Sequence, residues 1–167
     1  MMVFKDLIFV AQQQSMRYTS FMKKHSNISA VFGYEEGTKT SLPLYVSGLR
    51  AGFPSPADDY IEKKLDLNEY LVKHPAATFY VKVEGDSMLG AGIMSGDILV
   101  VDRAIEAVHN KIVVAILDGE FTVKRLLIKG AKIVLAPEND AYQAIDITEG
   151  MDFAVWGVVT SVIHEVV

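Results

Sequence analysis

The sequence predicts a mostly β fold, with a few short helices and a flexible N-terminal arm. Two observations predict it. From Ala77 onward, short runs of apolar and β-branched residues alternate with turn pairs such as Gly96-Asp97 and Asp118-Gly119. About the first 40 residues instead hold a helix-leaning stretch, Lys5 to Lys24, and a polar, glycine-containing tract, Gly33 to Thr40, that is typical of a linker. At 167 residues the chain is long enough for one compact domain and an appendage.

Between the linker and the β-rich region, the sequence predicts one extended segment and two short helices. Leu42 to Val46 is extended in character, and Ser47 to Pro56 is rich in turn residues. Ser55-Pro56 can begin a first helix, as N-cap and first-turn proline. That helix would carry Tyr60, Ile61, Lys64 and Leu65. Asp66, with Glu69 three residues later, begins a second helix that Pro75 ends.

Seven strands are predicted in the rest of the chain, each a short apolar run bounded by turn residues. They are Thr78 to Val83, Asp97 to Asp102, Lys111 to Leu117, Phe121 to Ile128, Lys132 to Leu135, Gln143 to Ile147 and Ala154 to Ile163. The pattern alone does not give their order in a sheet.

The charge distribution and the composition exclude several classes of function. The net charge is -5, but residues 1–51 carry six Lys and Arg against three Asp and Glu, so residues 52–167 are strongly acidic. An acidic body is a poor direct ligand for nucleic acid, which is bound mainly through Lys and Arg. No cysteine, signal-peptide pattern or apolar run of membrane-spanning length is present, and these absences together predict a cytoplasmic protein.

No metal, cofactor or nucleotide site is expected. The four histidines, His25, His74, His109 and His164, are far apart and lack carboxylates at metal-ligand spacing, which also argues against a Ser-His-Asp triad. The glycine-rich segment from Gly85 to Gly92 lacks the Lys-Ser or Lys-Thr pair of a phosphate-binding loop.

The same glycine-rich segment is a candidate nucleophile loop. Ser87 directly follows a predicted strand and is flanked by glycines, so its hydroxyl can lie at a turn where backbone N–H groups point outward and stabilise an oxyanion. Serine is also an ordinary turn residue, and its local sequence alone does not separate the two interpretations.

A nucleophilic serine without a histidine needs another base, and lysine is the usual substitute. Lys124 lies in an apolar strand, with Thr122 on the same face to hydrogen-bond its amine, and burial there would lower its pKa. Lys82 also lies in an apolar strand and is the obvious rival. The ordinary alternative for Lys124 is a lysine whose ammonium reaches solvent. Strand alternation does not decide between a buried and an exposed amine, because Arg125 puts a charge on the opposite face of the strand.

From about Ala51 to Ile163 the chain resembles the UmuD family of self-cleaving proteins and, more broadly, the LexA and phage-repressor self-cleaving domains. Seven ordered blocks carry the resemblance, and the Gly-Asp-Ser-Met block would not be specific by itself. They are Ala51-Gly52-Phe53-Pro54-Ser55-Pro56-Ala57, Lys64-Leu65-Asp66-Leu67-Asn68, His74-Pro75-Ala76-Ala77-Thr78, Gly85-Asp86-Ser87-Met88, Gly96-Asp97-Ile98-Leu99-Val100-Val101-Asp102, Asp118-Gly119-Glu120-Phe121-Thr122-Val123-Lys124 and Trp156-Gly157-Val158-Val159.

The resemblance implies a curled β-sheet peptidase with a serine-lysine pair. Ser87 would be the nucleophile, neutral Lys124 its general base, and the backbone N–H groups of Ser87 and Met88 the oxyanion donors. The bond between Ala51 and Gly52 would be cut, which divides the chain into an arm, residues 1–51, and a peptidase body, residues 52–167. The small residues there let the backbone approach the nucleophile closely.

The resemblance also implies the partners. In the family, RecA filaments on single-stranded DNA stimulate the cut after DNA damage, and the shortened product, a homodimer, supports translesion synthesis with a UmuC-type polymerase. The arm is longer than expected for a UmuD protein and too short for the complete helix-turn-helix domain of a LexA repressor. The alternative function is that of a damage-responsive, LexA-like repressor. A signal-peptidase-like enzyme is a third candidate, but it would need a membrane anchor, and no apolar run of that length is present.

Overall fold

The computed structural model describes residues 28–33, 37, 39–45 and 61–166. Ten strands and one short α-helix lie in these ranges, with 3₁₀ turns at Pro75–Ala77 and Leu89–Ala91. The strands are β1 (Ile28–Gly33), β2 (Ser41–Tyr45), β3 (Ile61–Asp66), β4 (Thr78–Val83), β5 (Ile98–Asp102), β6 (Ile112–Leu117), β7 (Glu120–Lys129), β8 (Lys132–Ala136), β9 (Ile145–Ile147) and β10 (Phe153–Ile163), and the helix is α1 (Leu67–Leu71).

Eight of the strands form one antiparallel sheet in the order β1-β4-β5-β10-β6-β7-β8-β9, and β2 pairs with β3 in a separate antiparallel hairpin. Although β1 is an edge strand, it also approaches β7, five places along the sheet. The sheet is therefore curled, and the predicted fold class, a mostly β curled sheet with short helices, is confirmed.

Alternation along the strands builds two apolar clusters. Inward residues of β4, β5 and β7, including Val81, Leu99 and Val123, form one cluster together with Ile28 from β1. Val113, Leu126 and Leu135 belong to the other. The end of β4, at Val83, and the middle of β7, at Val123, therefore contribute to the same apolar cluster.

The predicted strand positions agree with the structure to within two residues at each end, and Thr78 to Val83 agrees at both ends. Ser41–Tyr45 confirms the extended segment predicted at Leu42 to Val46. Strand β1 was not predicted, because its six residues run directly into the glycine-containing tract that begins at Gly33. The helix-leaning stretch Lys5 to Lys24 lies outside the described residues.

The first predicted helix is wrong over the residues that the structure describes, since Ile61–Asp66 is strand β3. Its backbone pairs with β2, with Leu65 opposite Leu42 and Lys64 opposite Pro43. This long-range pairing overrides the local helix signal.

The start of the second predicted helix is confirmed by α1, but the helix ends at Leu71, with Val72 as its C-cap, and not at Pro75. Asp66 caps it and accepts hydrogen bonds from the backbone N–H groups of Asn68 (2.8 Å) and Glu69 (3.4 Å). The Glu69 carboxylate accepts from Lys39 Nζ at 2.6 Å, which ties α1 to the segment before β2. Within the described ranges, no helix has the length and apolar character needed to cross a membrane.

Candidate active site

Ser87 lies in a short loop directly after β4, and the loop folds back on itself. Gly85 and Gly92 adopt positive φ angles of 93° and 72°, which glycine tolerates, so the chain turns sharply on both sides of Ser87. Gly96 N donates to Val83 O at 2.8 Å and closes the base of the loop. Although it lies in a loop, Ser87 is only 4% exposed.

Lys124 lies in the middle of β7 and points its amine at Ser87. Its Nζ is 2.9 Å from Ser87 Oγ and 3.0 Å from the carbonyl oxygen of Val123, and the residue is 5% exposed. Both of these partners are neutral oxygens, and burial lowers the pKa of Lys124 below its ordinary value of 10.5. Once the amine has lost its proton, the same separation lets the Ser87 hydroxyl donate to it.

The rival lysine does not meet the serine. Lys82 is exposed on the outer face of β4, where it pairs with Ala30 of β1 and Ile98 of β5. The expected hydrogen bond between Thr122 and Lys124 is replaced by the bonds to Ser87 and to the Val123 carbonyl. The structure therefore brings Ser87 and Lys124 together and leaves Lys82 outside.

A segment from a distant part of the chain holds the nucleophile loop in place. Glu138 N donates to Ser87 O at 2.8 Å, and Gly90 N donates to Glu138 O at 2.6 Å. Asn139 Nδ2 donates to Asp86 O at 3.0 Å. The Tyr142 hydroxyl donates to the Asp86 carboxylate, and this bond raises the pKa of Tyr142.

The same segment is connected to the lysine strand. Arg125, the residue after Lys124, forms an ion pair with Glu138 and donates from a second nitrogen to Asn110 O at 2.8 Å. One set of contacts thus fixes both the serine loop and β7. The sequence analysis missed these residues, because a turn-rich stretch some 50 residues after Ser87 carries no local sign that it contacts the loop.

Gly90 offers a test of this support. A Cβ on Gly90 would lie 2.6 Å from the backbone oxygen of Glu138, closer than real Cβ contacts allow. We expect Gly90→Ala to push the loop away from Glu138, to lower the free energy of unfolding by about 1–3 kcal/mol, and to slow self-cleavage by roughly 10- to 100-fold through misplacement of Ser87.

The matched control is Gly37→Ala, because Gly37 is exposed and nothing lies within 4 Å of its Cβ position. Urea denaturation and the rate of fragment formation on a denaturing gel measure both effects. If Gly90→Ala cleaved at the rate of the control, the Glu138 contact would not position the serine.

The proposed cleavage site, Ala51 and Gly52, lies outside the described residues. On either side of it the chain is described, and there Tyr45 of β2 pairs with Ile61 of β3. Residues 46–60 therefore join two strands that lie side by side.

The histidines of the described region take part in separate contacts. His74 Nδ1 lies 2.6 Å from the buried carboxylate of Asp102, and His164 Nδ1 lies 2.7 Å from that of Asp97. These two pairs tie the ends of β5 to neighbouring segments. Over residues 28–33, 37, 39–45 and 61–166, no cluster of three or more His, Asp or Glu side chains is placed to hold a metal ion.

Comparison with known proteins relates this arrangement to peptidases. The family model of S24-like peptidases matches residues 43–160. Protein SamA of Salmonella typhimurium strain LT2 is 47% identical over 131 residues, 78% of this chain and 91% of its own length. Protein ImpA of Escherichia coli is 48% identical over 122 residues, 73% of this chain and 83% of its own length. LexA repressor 1 of Geobacter sulfurreducens is 34% identical over 151 residues, 89% and 74% of the two chains.

Proposed function

Because the chain belongs to the S24-like peptidase family, we propose that it is a UmuD-like protein of the DNA-damage (SOS) response that cuts its own backbone between Ala51 and Gly52. The observation that carries the proposal is the buried 2.9 Å contact between Ser87 Oγ and Lys124 Nζ. A hydroxyl beside an amine whose pKa is lowered is the arrangement that a serine-lysine peptidase needs.

The chemistry follows from the two side chains. Ser87 Oγ attacks the carbonyl carbon of Ala51 while neutral Lys124 takes the hydroxyl proton, and the backbone N–H groups of Ser87 and Met88 donate to the oxyanion. The tetrahedral intermediate collapses when the bond to Gly52 N breaks and Lys124 returns the proton to that nitrogen. Lys124 then takes a proton from a water molecule as its oxygen attacks the Ala51 ester, and it gives that proton to Ser87 Oγ when the ester bond breaks. The products are residues 1–51, ending in a carboxylate, and residues 52–167, beginning with an amine.

The protein acts as a switch and not as a turnover enzyme. Each chain carries both a catalytic pair and one cleavage segment, so docking of such a segment replaces the binding of a free substrate. After the cut, no second target remains in that chain. The DNA-damage signal therefore has to act on the docking of the segment and on the neutral state of Lys124.

The proposed partners follow from the UmuD-like function. RecA filaments on single-stranded DNA stimulate the cut, and residues 52–167, as a cytoplasmic homodimer, support translesion synthesis by a UmuC-type polymerase. The 18 Asp and Glu of this body, against ten Lys and Arg, argue for action through proteins and not through direct DNA binding.

A LexA-like repressor is the second candidate, because LexA repressor 1 matches 89% of this chain. The higher identities to SamA and ImpA, 47% and 48%, favour the UmuD-like function. A gel-shift assay with the DNA upstream of the gene separates the two, since only a repressor would retard that DNA.

We expect RecA filaments to accelerate the cut without changing its position. The purified chain is incubated near neutral pH with RecA, ATP and single-stranded DNA, and fragment formation is followed over time. Matched reactions omit the DNA or the RecA. Equal rates with and without filaments would contradict the damage-response function, even if the chain still cut itself.

A further inference from the structure

Two strands of the arm are built into sheets that the body completes. Both β1 and β2 lie within residues 1–51, whereas their partners, β4 and β3, lie within residues 52–167. We propose that the cut does not itself release the arm: residues 1–51 stay docked on the body through these two strand pairings, and their dissociation is a separate step. This inference rests on the proposed cut between Ala51 and Gly52.

The first pairing places part of the arm in the core of the body. Ile28 of β1 lies opposite Val83 and is 2% exposed, and Val31 lies opposite Val81 and packs against the same apolar cluster. Phe32, on the other face of β1, is 56% exposed. Strand β1 therefore covers the edge of β4 with backbone hydrogen bonds and buries one apolar face.

The second pairing lies nearer the cut. Strand β2 pairs with β3 from Ser41, opposite Asp66, to Tyr45, opposite Ile61. Two further contacts extend it: Thr40 N donates to Asp66 Oδ2 at 2.8 Å, and Lys39 Nζ lies 2.6 Å from the Glu69 carboxylate. The same Asp66 caps α1, so one carboxylate of the body binds both the arm and the helix.

Breaking the bond between Ala51 and Gly52 removes neither pairing. It opens the connection between β2 and β3, while every backbone contact described above lies outside residues 46–60. Residues 34–40 join β1 and β2 within the arm. When one pairing opens, the other keeps the freed strand close to its partner, so the opened pairing re-forms. Both must be open at once for the arm to leave.

The edge of β4 is consequently a covered binding surface whose occupant is the arm's own β1. An exposed edge strand of this kind offers unpaired N–H and C=O groups to any extended segment. In the cut protein that edge becomes accessible only after the arm has left. A release step therefore lies between self-cleavage and any use of the β4 edge.

The test uses the full chain with an affinity tag at its N-terminus. After incubation under cleaving conditions, mass spectrometry first establishes how much of the chain has been cut. The mixture is then passed over the affinity resin without denaturant, and we expect most of the cut body to be retained with the tagged arm and to elute in urea. Absence of any cut would count against the proposed function. If the chain is cut but the body passes through the resin without the tagged arm, this inference alone is overturned.

Two variants on opposite faces of β1 make the test specific. Ile28→Asp places a charge in the core and leaves only the β2–β3 pairing to hold the arm, so a larger share of the cut body should pass into the flow-through, while Phe32→Asp, exposed on the same strand, should retain as much body as the original chain. Hydrogen exchange of the Thr78–Val83 amides, measured in the cut protein before any urea is added, gives a second measurement. Protection of these amides should persist after the cut and fall only when the arm is removed. Loss of protection on cutting would contradict retention.

Discussion

We expect Lys124→Ala to abolish self-cleavage and Lys82→Ala to leave it nearly unchanged. In Lys124→Ala the Ser87 hydroxyl loses the amine that lies 2.9 Å from it. Loss of a member of such a catalytic pair costs on the order of 10⁴- to 10⁶-fold in rate. Lys82 is exposed on the outer face of β4, so we expect the rate of Lys82→Ala to stay within about twofold of the original.

Fragment formation over days, measured by quantitative mass spectrometry, covers the range of rates. Circular dichroism of both variants shows whether each one is folded, so a loss of activity through unfolding is distinguished from a loss of the base. If Lys124→Ala kept cutting while Lys82→Ala did not, Lys82 would be the base, in disagreement with the geometry.

The cleavage rate is expected to rise with pH and then to level off below pH 10.5. Burial lowers the pKa of Lys124 in the folded state, and only the neutral amine accepts the Ser87 proton. Below the folded-state pKa, the neutral fraction, and with it the rate, grows about tenfold per pH unit. Above that pKa the amine is neutral in nearly every molecule, and the rate becomes constant.

The measurement is the first-order rate of fragment formation in the absence of RecA, taken at intervals from pH 6 to pH 11. Lys124→Arg is the matched control, since a guanidinium stays protonated throughout this range and should give no cut at any pH. A rate that fell with rising pH, or that was still climbing above 10.5, would show that the titrating group is not a buried Lys124.

The sequence predicted the sheet well where each strand is an apolar run bounded by turn residues. The strand Thr78 to Val83 and the cap at Asp66 were both predicted from local pattern, and both are confirmed. Family resemblance, confirmed by the S24-like match over residues 43–160, supplied the curled topology that local pattern could not.

The failures share one physical cause, which is pairing between residues far apart in the chain. Ile61–Asp66 has a helix-like start but is held extended by β2, and Ile28–Gly33 becomes a strand because β4 offers an apolar edge. Neither partner can be identified from a local window. The same limit applies to Glu138, whose contact with the Ser87 loop joins segments about 50 residues apart.

The candidate site was only partly predictable for the same reason. Local pattern left Ser87 an ordinary turn serine and did not decide between Lys124 and Lys82. Alternation along the Lys124 strand is ambiguous, because Arg125 places a charge on the opposite face. The structure separates the two lysines by burial: Lys124 is 5% exposed and directed at Ser87, and Lys82 is exposed.

The division into an arm, residues 1–51, and a body, residues 52–167, remains a proposal about where the chain is cut. The structure adds that β1 and β2 fold with the body before any cut. The N-terminal arm, which was predicted to be flexible, thus contributes Ile28 to the core of the body.

The most direct test of the serine-lysine switch is intact-mass analysis of the purified chain and of Ser87→Ala after parallel incubation at pH 10. We expect the original chain to yield two fragments, residues 1–51 and 52–167, and Ser87→Ala to remain whole. The same two fragments from Ser87→Ala, or a cut of the original chain at another bond, would contradict the assignment of Ser87 as the nucleophile acting between Ala51 and Gly52.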